Sequence, residues 1–161
     1  MAYTADVQAF VDDPLSGRTP EDVRALFDTE VVRKALAHPA QPFMIKRFIA
    51  ANDYTEEAAL RLFDEVKKFL IANRVLQVKA APSEPVDQMW HAWILFTKDY
   101  TAFCDQLGGY IHHLPIPAGN PEQPPLEPTI EIMRVSFGEA AEDLWPLELG
   151  AFGGRDCKAG A

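Results

Sequence analysis

Cysteine is nearly absent from this chain: Cys104 and Cys157 are the only two in 161 residues. A secreted scaffold stapled by disulfides needs more, so that class is excluded and a reduced, cytoplasmic protein is the expectation. Basic charge is also short, with 15 Lys and Arg against 24 Asp and Glu and a formal net charge of -9. A nucleic-acid backbone or an anionic membrane requires a basic footprint, and Arg24, Arg33, Lys34, Lys46, Arg47, Lys67 and Lys68 are spread among acids rather than massed. Neither is expected as a partner, which leaves a small molecule or another protein. No apolar run approaches the length of a membrane span, and residues 1–6 carry neither the basic region nor the apolar core that opens a signal peptide. A phosphate-cradling glycine loop, a nucleophile elbow, a paired Cys-x-x-Cys and a His-Glu-x-x-His are all missing. Nucleotide-dependent chemistry is thereby disfavoured.

What the chain does have is apolar and aromatic mass, at 48% and 11% of residues, enough for a packed core without help from a metal or disulfide. The patterning predicts a mainly α, compact bundle of about five helices over residues 1–149 and a flexible glycine-rich tail over 150–161. Thr19-Pro20-Glu21-Asp22 reads as an N-cap, a first-turn proline and first-turn acids, opening a helix over 20–37. A short helix follows over 43–51. Thr55 then caps a helix whose Ala59, Leu62, Phe63, Val66, Phe69 and Leu70 form one apolar stripe. Pro85 opens a long helix to about Leu107, stopped by Gly108-Gly109 and placed at the centre of the fold, with Trp90, Trp93, Thr97, Tyr100, Cys104 and Leu107 inward. Six prolines between 115 and 128 make a stiff connection. A last helix is predicted from Thr129 to Leu144 or Trp145.

Chemistry concentrates between Asp87 and His113, which hold three of the four histidines, one of the two cysteines and two of the three tryptophans. Imidazole and thiolate are preferred ligands of zinc and other borderline transition metals, and three or four must converge. The candidate ligands are His91 and His113, with His112, Asp87 or Cys104 as the third. On a straight helix His91 and Cys104 lie roughly 140° apart and cannot face one ion unless the helix bends or breaks. Adjacent residues of an extended segment point to opposite sides, so one of His112 and His113 enters any given site. Asp87, one turn before His91, could orient its ring or ligate. Two competing readings use the same residues. In one, Asp87 complements the helix dipole, Cys104 and the tryptophans are core, and the domain is a non-enzymatic interaction module presenting its proline-rich loop. In the other, Cys104 is a nucleophile with His113 or His91 as base and Asp87 as orienting acid, a role that needs an exposed thiol. His38, before Pro39, reads as a helix-end partner.

The string Val86-Asp87-x-x-Trp90-His91, Thr97, Tyr100, Phe103-Cys104 and Gly109-Tyr110-Ile111-His112-His113-x-Pro115 resembles the glycine-rich domain-containing protein-like family, most sharply over 82–115. The resemblance implies no established reaction. It implies that the polar positions form a site rather than a core pattern, which strengthens the expectation of a divalent transition metal, zinc among the candidates. If such a site is catalytic, metal-activated water assisted by Asp87 or Tyr100 is the simplest mechanism.

Overall fold

The computed structural model describes residues 14–114, 125–138 and 141–145. Among them are seven α-helices: α1 (Pro20–Phe27), α2 (Glu30–Leu36), α3 (Pro42–Asn52), α4 (Glu56–Leu76), α5 (Glu84–Ile94), α6 (Thr97–Gln106) and α7 (Glu127–Phe137). A 3-10 turn follows at Glu142–Leu144, and the described residues include no strand. The class is the mainly helical one that the patterning predicts. Seven helices replace about five because two predicted helices are each broken in two.

The first break is a capping effect. The Thr19–Asp22 capping box starts α1, but Thr29 leaves helical geometry (φ -132, ψ 156) and its hydroxyl accepts from the Val32 N–H at 3.2 Å, starting α2 afresh. The second break, at Leu95–Phe96, has no proline or glycine to mark it. Its cause is tertiary. Trp93 Nε1 donates to Asp99 Oδ2 at 2.7 Å and Trp90 Nε1 donates to the Tyr100 hydroxyl at 3.0 Å. On a continuous helix six residues turn through roughly 240°, and ten residues rise about 15 Å, so neither bond could form. The chain bends at Phe96 (φ -89, ψ 66), and both indoles find their partners inside the protein.

The last helix stops at Phe137 rather than near Leu144, because Gly138 adopts φ 85 and its N–H closes on Arg134 O at 2.8 Å. Of the proline-rich connection predicted over 115–128, residues 115–124 lie outside the described residues, as does the tail over 150–161 with Cys157, while Glu127 and Pro128 already belong to the first turn of α7, where a proline costs no helical hydrogen bond.

The centre of the fold is α4, not the 85–107 segment. It packs against α2, α3, α5 and α7. Its Leu62, Phe63, Val66, Phe69, Leu70 and Ile71 are fully buried against Trp93, Tyr100 and Phe103 of the broken helix and Met133 of α7. Each such side chain contributes roughly 1.5–3 kcal/mol by leaving water. Lys67, also buried on α4, donates to Leu36 O (2.6 Å) and His38 O (2.9 Å) and pairs with Asp64 at 3.0 Å. Lys67 therefore caps the end of α2, the role that sequence assigns to His38. The His38 ring instead lies 3.1 Å from both Asp99 Oδ1 and the Gln106 amide, edge-on to Phe103 and tilted against Trp93.

Asp99 is thus the shared acceptor that holds the α5–α6 break. Asp99→Ala leaves an indole N–H and an imidazole without their partner, and urea denaturation is expected to show a loss of about 1–3 kcal/mol. A loss under about 0.5 kcal/mol, the level of an ordinary surface change, would show that the break is held by something else.

Candidate metal centre

Helix α5 begins at a doubly anchored serine. Ser83 Oγ accepts from the Val86 N–H at 3.3 Å and donates to Leu144 O at 2.6 Å, which fixes where the first turn of α5 stands against the chain beyond α7. Asp87 lies in that first turn and His91 one turn later on the same face, with Oδ2 and Nδ1 3.8 Å apart. After α6 the chain reverses through Gly108 (φ 94) and Gly109 (φ 145), conformations that side-chain-bearing residues rarely adopt, and Gly109 N–H bonds back to Cys104 O at 3.1 Å. Beyond the reversal, exposure alternates along Ile111, His112, His113 and Leu114. His112 turns outward and rests its ring on Tyr110 at 4.8 Å. His113 turns inward.

There His113 Nε2 meets Asp87 Oδ1 at 2.5 Å, and its ring sits 4.1 Å from that of His91 and 4.3 Å from Trp90. One ligand atom each from Asp87, His91 and His113 lies within 4.8 Å of the other two. The trio is half-buried, with side-chain exposures of 18% for Asp87, 37% for His91 and 10% for His113, so solvent reaches it from the His91 side. Burial pushes the His91 pKa down, a positive charge on His113 pushes the same way, and Asp87 opposes both. The net effect favours neutral imidazole, the form that can ligate a metal.

Cys104 and His112 are not in this group. Cys104 is fully buried, and burial raises its thiol pKa, only partly offset by its polar neighbours, the Ile111 backbone first among them. The break in the helix does not bring it to His91; it faces the returning segment and Tyr100 instead. Such a thiol is a poor nucleophile and a poor ligand, which removes the support for the Cys-His-Asp reading. The Tyr100 hydroxyl, expected as an assisting group, is committed: it accepts from Trp90 and donates to Ile111 O at 2.6 Å, and burial drives its pKa up. One residue the sequence did not single out also matters. Arg74, in the last turn of α4, donates to Gly109 O at 2.9 Å and Tyr110 O at 3.4 Å. A partner 35 residues away leaves no local signal.

Fold and site together define a mainly helical protein that offers two imidazoles and a carboxylate as a candidate metal-holding group. The chain belongs to the UCP032817-like family, whose family model matches residues 32–124, more than half of the sequence and all three members of the group. That match overturns the resemblance to the glycine-rich domain-containing protein-like family: the Trp-His and His-His strings that carried it fall inside the UCP032817-like span. This family is uncharacterised and supplies no reaction. No curated protein and no solved structure matches the chain.

The burial of Cys104 has a direct chemical test. With Cys157 changed to Ser so that one thiol remains, iodoacetamide at pH 8 is expected to modify the native protein at least about two orders of magnitude more slowly than the urea-unfolded chain, because a protonated, enclosed thiol must wait for local opening. Comparable rates would return Cys104 to consideration as a reactive group.

Proposed function

We propose that this protein binds one divalent transition metal ion through Asp87, His91 and His113. The observation that carries the reading is the convergence of three ligand atoms within 4.8 Å from two separately anchored pieces of chain. Metal bonds near 2.0–2.2 Å set neighbouring ligand atoms roughly 3.4 Å apart, so side-chain rotation would have to open the 2.5 Å Asp87–His113 contact by about 1 Å and draw in any pair standing near 4.8 Å. Two imidazoles and one carboxylate suit zinc and also iron(II) and other borderline ions. Three protein ligands leave at least one position for water or an exogenous ligand, the pattern of an exchangeable or catalytic centre rather than a closed structural one. Water held there would be acidified, and the free carboxylate oxygen of Asp87 is the nearby acceptor for its proton. The ion replaces the proton between His113 Nε2 and Asp87, so affinity falls as pH falls.

The rival is an interaction module in which the Trp-His segment serves only as core. It is favoured by the exposed apolar side chains Phe43 (59%) and Leu95 (70%), which flank the helix break together with Phe96.

Elemental analysis of the untagged full chain, beside a His91→Ala, His113→Ala double variant, separates the two. Near-stoichiometric metal in the wild type and its loss in a still-helical variant are expected. A folded wild type that neither carries metal nor takes up added zinc or cobalt would discard the metal reading in favour of the interaction module.

A further inference from the structure

His113 reaches Asp87 from a segment that has no strand partner among the described residues and follows two glycines. Something must fix its register, because side chains alternate along it: a slip of one residue would present His112 in place of His113. The backbone carbonyls of three successive residues supply the answer. Arg74 Nη2 holds Gly109 O at 2.9 Å and Tyr110 O at 3.4 Å, and the Tyr100 hydroxyl holds Ile111 O at 2.6 Å. Tyr100 is in turn aimed by Trp90, whose Nε1 donates to the same hydroxyl at 3.0 Å while its ring packs at a steep angle against that of His113, centroids 4.3 Å apart. A phenol has one proton to donate and here gives it to a carbonyl; the indole N–H fills an acceptor site, so both groups are satisfied and the geometry is over-determined. Helices α4, α5 and α6 each send one side chain to this clamp.

We infer that Tyr100, Trp90 and Arg74 are positioning residues that select His113 over His112 and hold its ring on Asp87. None of them supplies an atom to the Asp87, His91 and His113 group; each acts through the backbone or the ring of His113. The inference rests on the metal-binding reading where affinity is concerned, and on the hydrogen-bond geometry alone where the His113 orientation is concerned.

The experiment therefore has two arms, both on the full chain: wild type, Tyr100→Phe, Arg74→Met, Arg74→Lys, and Ile130→Val as a core variant on α7 that weakens the fold away from the site. The first arm titrates cobalt(II) and follows its visible spectrum; the second follows the His113 ring N–H by proton–nitrogen NMR in metal-free protein. Tyr100→Phe and Arg74→Met are expected to weaken cobalt binding roughly ten- to a hundred-fold, the usual effect of losing groups that orient a ligand. They should also expose the His113 ring proton to rapid exchange. Arg74→Lys, keeping a donor for the same carbonyls, should recover most of the affinity, and Ile130→Val should change neither signal. Unaltered cobalt affinity and an unaltered His113 proton in Tyr100→Phe and Arg74→Met would overturn the inference while leaving the metal reading intact. A wild type that ignores cobalt would overturn the metal reading, and the NMR arm alone would then decide the positioning role. Should Tyr100→Phe fail to fold, the Arg74→Met and Arg74→Lys pair decides it.

Discussion

The break between α5 and α6 rests on two indole N–H groups that cannot stay unpaired in a core. Trp93 is fully buried and Trp90 nearly so, and each finds its acceptor across the bend, at Asp99 and at the Tyr100 hydroxyl. A straight helix would leave both donors orphaned. Because the chain bends, α6 turns Tyr100 toward the returning loop and that loop can lie over α5. The His113–Asp87 contact depends on this bend.

The parts of the structure legible in the sequence are those decided locally. The Thr19 and Thr55 caps, the stripe of α4, the glycine stop after α6 and the proline start of α5 are read from side chains a few residues apart, and each stands close to its expected place. The Thr29 break is also local, since an Asp-Thr-Glu run inside an apolar pattern is a capping signal, one that a reading by periodicity alone passes over. The Leu95–Phe96 break was not legible. Nothing in Ile94-Leu95-Phe96-Thr97 disfavours a helix, and the forces that bend it come from Asp99, Tyr100 and, through His38, from α2. For the same reason the sequence favours a central helix over 85–107, whereas α4, with its longer buried stripe, takes that position.

At the site, the composition of the 87–113 stretch and two elementary periodicities brought Asp87, His91 and His113 forward: one helical turn joins the first two, and extended alternation chooses one histidine of the pair. Cys104 was harder to place. Its chemistry nominated it, while its position on the inward stripe already argued for burial, and burial prevails. Arg74 and Lys67 show the limit of such reading. Both are cations of α4 that look like solvated charges in the sequence, and both donate to distant backbone carbonyls.

Asp87 and His113 stand 26 residues apart and enclose the whole of α6 and its glycine reversal. An ion shared between them would close that loop as a clasp does, so that opening the α5–α6 bend and releasing the ion become one event. Free metal above the dissociation constant would then add about 1.4 kcal/mol to the folded state for each tenfold rise. The rigidity of this corner would be set by the surrounding metal concentration as much as by the amino-acid sequence.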